Sequence, residues 1–257
     1  MPLLIHVPHS STIIPKPDEA DFLISRSDLS HELFRLTDWY TDELFGGNWP
    51  AELTAIAHVS RLVVDVERFR DDNDEPCSKF GMGATYTQTT TGETLRHLSN
   101  QRREELLKRY YDPHHSALNQ RTKKLLESHN SVMILDAHSY PTDPLPTQAG
   151  YNTTPEIGIG TDPFHTPNEI TEFTVNFFKS RGLYTAVNQP FNGTFVPSNY
   201  WRKDSRVSSI MIEVRRDLYL DEATASKNSS FNKIKSIIYT YRQALSEITG
   251  QDTSSSV

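Results

Sequence analysis

Seven short runs rich in β-branched and apolar residues, separated by amphipathic stretches, limit how this chain can fold. They are LLIHV (3–7), LTAIAHV (53–59), RLVVDV (61–66), SVMILDAHS (131–139), EIGIGT (156–161), YTAVN (184–188) and SSIMIEVR (208–215). Each has the length of a strand, and several lack any polar alternation, as strands covered on both faces do. Between them, helical spacing places Leu95, Leu98, Leu106, Leu107, Tyr110, Leu118, Leu125 and Leu126 on one side of residues 94–129. That pattern is interrupted at Asp112-Pro113, where a second helix can begin. Further helices are expected over 167–182, closing on Gly182, and over 232–250. The alternation predicts an α/β protein: a three-layer α/β/α domain with a central, mostly parallel mixed sheet. One domain is expected over 1–250, with a frayed polar tail at 251–257.

Composition excludes several classes. A net charge of −7 argues against a non-specific nucleic-acid binder. No apolar run approaches the ~20 residues that span a bilayer, and the N-terminus lacks the basic and apolar regions of a signal peptide. A single cysteine, Cys77, rules out an internal disulfide and makes a reducing, cytoplasmic setting the expectation. The acidic sequence NDEPCSKF around it does not favour a thiolate. No glycine-rich phosphate loop occurs.

In parallel sheets, ligands bind beyond the carboxyl ends of the strands, and the polar clusters of this chain lie there. His9 follows the first run; Asp65, Glu67 and Arg68 end the third; Asp136 and His138 end the fourth; Glu213 and Arg215 end the last. Singly, each has an ordinary structural explanation. Together, two histidines and several carboxylates match a catalytic zinc site, which needs three N/O ligands and an open position for water. Glu213 follows three apolar residues, where an ionised group needs a partner. Strand alternation puts Glu213 and Arg215 on one face.

The ordered blocks PHS (8–10), LTDWYTDELF (36–45), VVDVERF (63–69), YYDPHHSAL (110–118), LDAHSY (135–140) and NQPFNGTF (188–195) resemble those of the N-formylglutamate amidohydrolase family, which is related to the zinc carboxypeptidases and shares their fold. The resemblance implies a zinc-dependent, cytoplasmic amidohydrolase of histidine catabolism that cleaves N-formylglutamate to formate and glutamate. It implies one Zn2+ on His9, His138 and a third ligand, with Glu213 as general base. Carboxypeptidases place a glutamate three residues after the first histidine; this chain has Thr12 there, so the third ligand is expected from Asp38, with Asp65 and Asp136 as alternatives. Arg68 corresponds to the arginine that grips the substrate carboxylate, and Arg215, Asn192 and Gly193 are further expected substrate contacts. Glu67 stands where the family usually carries asparagine, which opens two alternatives: another N-acyl or peptide-like substrate, or an inactive binding relative. No membrane or nucleic-acid partner is expected.

Overall fold

The computed structural model describes residues 1–143 and 154–251. Six strands, β1 (Leu3–Val7), β2 (Thr54–Ile56), β3 (Val132–Tyr140), β4 (Ile157–Gly160), β5 (Thr185–Val187) and β6 (Val207–Arg215), form one sheet in the order β2-β1-β3-β6-β4-β5. The strands β2, β1, β3 and β6 run parallel, while β4 is antiparallel to β6 and β5 follows β4. The sheet is therefore mixed and mostly parallel. The helices are α1 (Lys16–Glu19), α2 (Arg26–Leu36), α3 (Asn100–Leu106), α4 (Asp112–Ser128), α5 (Asn168–Lys179) and α6 (Phe231–Gln251).

Period-two alternation decides which side chains meet which layer. Leu3, Ile5 and Val7 of β1, Met133, Leu135 and Ala137 of β3, and Ile210, Ile212 and Val214 of β6 share one core cluster with residues of α5 and α6, among them Phe178, Ile238 and Leu245. On the opposite face, Leu4, Ile134 and Val207 pack with Leu118 of α4. The carboxyl half of that second face changes character. It carries His6, Asp136, His138, Met211 and Glu213, in register across β1, β3 and β6. The sheet thus spends one face wholly on core packing and divides the other between packing and chemistry.

Several elements depart from the sequence expectation. RLVVDV (61–66) is not a strand: Leu62 packs with Leu36, Met82, Tyr86 and Leu95, while Val63, Val64 and Val66 pack with Ala57, Val59 and Ala84. Its backbone is satisfied by a turn (Val63 N–H to Ser60 O, 2.8 Å) and by a bond from Asp65 N–H to Ala84 O (2.9 Å). A short apolar run bounded by turn residues cannot by periodicity alone be told from a buried strand. LTAIAHV contributes only Thr54–Ile56. Residues 94–99 precede the helix, which starts at Asn100 because Ser99 caps it, accepting the Arg102 N–H at 3.1 Å. Pro113 does not separate two helices. The Leu107–Tyr111 segment is a π-turn, with the Asp112 N–H reaching back to Leu107 O, so α3 runs into α4. Gln251 ends α6, and the remainder of the expected tail, 252–257, lies outside the described residues.

Candidate active site

Three buried side chains converge at the carboxyl edge of the sheet. His9 follows β1 by two residues. Asp38 sits just beyond α2, outside any helix, where its backbone N–H donates to His9 O at 3.0 Å. His138 projects from β3, next to Glu213 of β6 in the strand register. Between the three, His9 Nδ1 lies 3.3 Å from His138 Nδ1, His138 Nδ1 3.1 Å from Asp38 Oδ2, and His9 Nδ1 3.5 Å from Asp38 Oδ2.

The far nitrogens of the imidazoles have carboxylate partners. His9 Nε2 is 2.8 Å from Asp65 Oδ1; His138 Nε2 is 3.2 Å from Asp136 Oδ1 and 3.0 Å from Glu67 Oε1. The His9 Nε2 contact is a hydrogen bond and places the proton of that ring on Nε2; at His138 Nε2 the two carboxylates are charge contacts without hydrogen-bond geometry. Nδ1 of both rings and Asp38 Oδ2 face the same point. Two imidazole nitrogens and a carboxylate oxygen this close together form a group that could hold a metal ion. Bonds of about 2.0–2.1 Å at tetrahedral angles separate zinc donors by about 3.3–3.5 Å, so this donor set fits a zinc-sized ion.

Electrostatics says the same. Burial would lower the pKa of His138, but the charges of Glu67 and Asp136 and the bonds to Asp136 and Asp38 hold it well above its ordinary value. Burial would raise that of Asp38, yet hydrogen bonds and charge from His138 and His9 hold it well below the carboxylate range.

Asp65 and Asp136 lie at the far nitrogens of the donor rings, and Asp136 forms with Glu67 and His138 a second group that could hold a metal ion. Asp65 accepts two bonds from Arg61 (3.1 and 2.8 Å), one from Tyr86 Oη (2.8 Å) and the Glu67 N–H (3.0 Å). Asp136 accepts the Phe195 N–H (2.9 Å) and lies 2.9 Å from His6 Nδ1, whose Nε2 is 3.0 Å from His114 Nε2. Partners of this type typically change metal affinity 10–100-fold. Asp65→Asn is therefore expected to weaken metal binding by about 10–100-fold, measured by competition with a chromophoric chelator; an unchanged affinity would remove Asp65 from this role.

Glu213 is buried, and one of its carboxylate oxygens, Oε2, has no hydrogen-bond partner among the described residues. Burial, reinforced by the negative charges of Asp38 and Glu67, pushes its pKa up to about 8. A carboxylate so held is a poised proton acceptor. A Cβ on Gly158 would come 3.2 Å from Glu213 Cβ, so the neighbouring strand leaves room for it.

The remaining expected residues divide. Arg68 lines the same cavity, and its guanidinium makes no hydrogen bond among the described residues; Asp65 Oδ2 is 3.7 Å from its Nε. Asn192 and Gly193 form part of the cavity wall. Gly160 lets that loop approach, since a Cβ there would fall 2.1 Å from Gly193 O and 2.4 Å from Met211 Cε. Gly160→Ala is expected to cost about 1–3 kcal/mol and to lower turnover with it, read by thermal unfolding and steady-state rates. Arg215 does not reach the cavity: it is held by Asp217 (2.7 and 3.1 Å) and Thr154 O (2.7 Å). Its neighbour Arg216 turns inward instead, because β6 ends in a 3-10 turn at that point; its Nη2 lies 3.4 Å from Asp38 Oδ1. Thr12 is exposed. His165 is structural, bonded to Val207 O and the Arg202 N–H (both 2.7 Å), and His115 holds Val66 O at 2.7 Å.

Sequence reasoning missed Arg61, Tyr86, His114 and Arg216. Arg61 and Tyr86 bond to Asp65, Arg216 reaches Asp38, and His114 acts on Asp136 through His6; nothing in their local spacing marks them.

The donor set opens into a cavity of about 640 Å³, within the range of small-molecule sites. The family model for N-formylglutamate amidohydrolase matches residues 1–220 of the chain. This chain belongs to that family. N-formylglutamate amidohydrolase from Ralstonia eutropha JMP134 has a similar crystal structure, with a TM-score of 0.81 and 20% identity over 96% of this chain and 94% of that one. A gene product of Agrobacterium tumefaciens is similar at a TM-score of 0.67 and 18% identity, covering 96% of this chain and 91% of that one. At these identities the likeness is one of fold. Comparison with curated proteins finds no match. Among the described residues, no helix of this amidohydrolase-family protein is long and apolar enough to cross a membrane.

Proposed function

We propose that the protein is a zinc-dependent amidohydrolase of small N-acyl amino acids, with N-formylglutamate, the compound that names its family, as the reference substrate. One observation carries the reading: His9 Nδ1, His138 Nδ1 and Asp38 Oδ2 converge within 3.5 Å of one another in a cavity that Glu213 and Arg68 also line. His9, Asp38 and His138 would hold the ion. When bound, zinc supplies Lewis acidity, which polarises an amide carbonyl and acidifies water.

The chain's own residues supply the rest. Arg68 binds the substrate carboxylate with its planar guanidinium, which fixes where the amide lies. Glu213 takes a proton from the attacking water and passes it to the amine nitrogen as the C–N bond breaks. For N-formylglutamate the products are formate and glutamate. Asn192 and the Gly193 backbone contact substrate from the cavity wall. The single cysteine suits a reducing compartment such as the cytoplasm.

The test is hydrolysis of N-formyl amino acids by the zinc-loaded and the chelator-treated protein. The reading expects amine release with zinc and its loss on chelation. Full turnover by metal-depleted protein would defeat it.

A further inference from the structure

The cavity sets few cationic side chains against many acidic ones and a partly aromatic wall. Six carboxylates line it, those of Asp38, Glu67, Asp74, Glu75, Asp162 and Glu213, against the guanidinium groups of Arg61 and Arg68. Arg61 is bound to Asp65 through Nε and Nη2, which leaves Arg68. No other lysine or arginine lines the cavity among the described residues, and residues 144–153 contain neither. Nearby, Arg202 stacks on Trp201 at 4.7 Å and has Asp162 Oδ2 at 3.8 Å; Arg215 is engaged by Asp217. A second substrate carboxylate would find only Arg61, already paired with Asp65 and 4.0 Å from Asp38 through Nη1, and several like charges, a costly arrangement in a partly desolvated site.

Asp38, Glu67, Glu75 and Asp162 are engaged by the chain's own groups, which leaves Asp74, exposed, and Glu213. Glu75 accepts the N–H groups of Phe69 and Cys77, and Asp162 those of Phe164 and His165. Glu67 lies against the His138 and His9 rings, at 3.0 and 3.6 Å. Beside Arg68 and uncharged polar groups such as Asn192, the cavity offers an aromatic and apolar wall: Phe191, Phe195, Tyr111, Met211 and the pair Phe69–Trp201. That pair meets edge to face at 5.6 Å, and Phe69, adjacent to Arg68 in sequence, is left 44% exposed.

We propose that the preferred substrates are N-acyl amino acids with a single carboxylate and an aromatic side chain, ahead of N-formylglutamate. The α-carboxylate sits on Arg68 and the ring packs against Phe69 and Trp201; Glu67 selects against a second carboxylate. This rests on the amidohydrolase reading above.

The test compares kcat/KM of the zinc-loaded full chain for N-formylphenylalanine, N-formylglutamate, N-formyllysine and N-formylglycine. The expected result is N-formylphenylalanine ahead of the glutamate and lysine compounds by about tenfold or more. Trp201→Ala should lower the phenylalanine-to-glycine ratio by about tenfold. Preference for the glutamate or the lysine compound, or a ratio indifferent to Trp201→Ala, overturns the inference while leaving the amidohydrolase reading intact. Hydrolysis of none of the four defeats that reading instead. Calorimetric binding then still decides the inference: tighter binding of N-formylphenylalanine than of N-formylglutamate supports it, and equal or weaker binding overturns it.

Discussion

Glu213→Gln is expected to lower amide hydrolysis by about 10²–10⁴-fold with zinc content unchanged. The amide is close in shape to the carboxylate and leaves the donor set untouched, but it cannot take a proton from water. The same substitution should stabilise the metal-free protein at alkaline pH. The folded-state pKa of Glu213 is raised from its ordinary 4.5 to about 8, chiefly by burial. The folded state therefore holds a proton that the unfolded state has released. Its contribution to stability is intact below about pH 4.5 and is lost as pH rises towards 8. Glutamine carries no such penalty, so the variant's melting temperature should exceed the parent's above pH 8 and converge with it in acid. Equal melting temperatures across that window would show that Glu213 ionises without cost. Retained turnover would take it out of the chemistry.

Asp38→Asn is expected to weaken zinc binding by more than about 100-fold, beyond what loss of an orienting partner produces. Asp38 is the one carboxylate that faces both Nδ1 atoms, and its charge also offsets the buried Arg216 guanidinium. The variant should therefore lose stability as well, by about 1–3 kcal/mol, since Arg216 keeps only its bonds to Arg35 O and Ser139 O. Chelator competition reads the first effect and thermal unfolding the second. Unchanged zinc affinity would return the third-ligand role to Asp65 or Asp136.

The layered fold was legible because alternation and helical spacing are local properties, and the buried strands β1, β3 and β6 are long enough to display them. His9, Asp136, His138 and Glu213 could be grouped from sequence since each ends a strand, and parallel strands deliver their ends to one edge. Asp38 lies on no strand; it came from the resemblance, and its backbone bond to His9 O is what brings it in. The failures have a common cause. RLVVDV has the composition of a strand, yet its valines are buried by loops and helices rather than by sheet neighbours, and composition does not specify what does the covering. Alternation places Arg215 on the face of Glu213, but Arg215 is the last residue of β6 and the turn beginning at Arg216 brings Asp217 to its guanidinium. The chain from His114 through His6 to Asp136 joins residues more than 100 positions apart, beyond the reach of any local pattern. Glu67 could be recognised as a departure from the family pattern, but its approach to both imidazoles depends on where the 61–69 loop lies.

Zinc stoichiometry after exhaustive dialysis, measured in parallel for the parent, His9→Ala and His138→Ala, tests the central claim most directly. The parent should retain one zinc per chain and release the amine from an N-formyl amino acid, while both variants lose metal and turnover together. Variants that fold, bind no zinc and still hydrolyse the substrate at the parental rate would contradict the account.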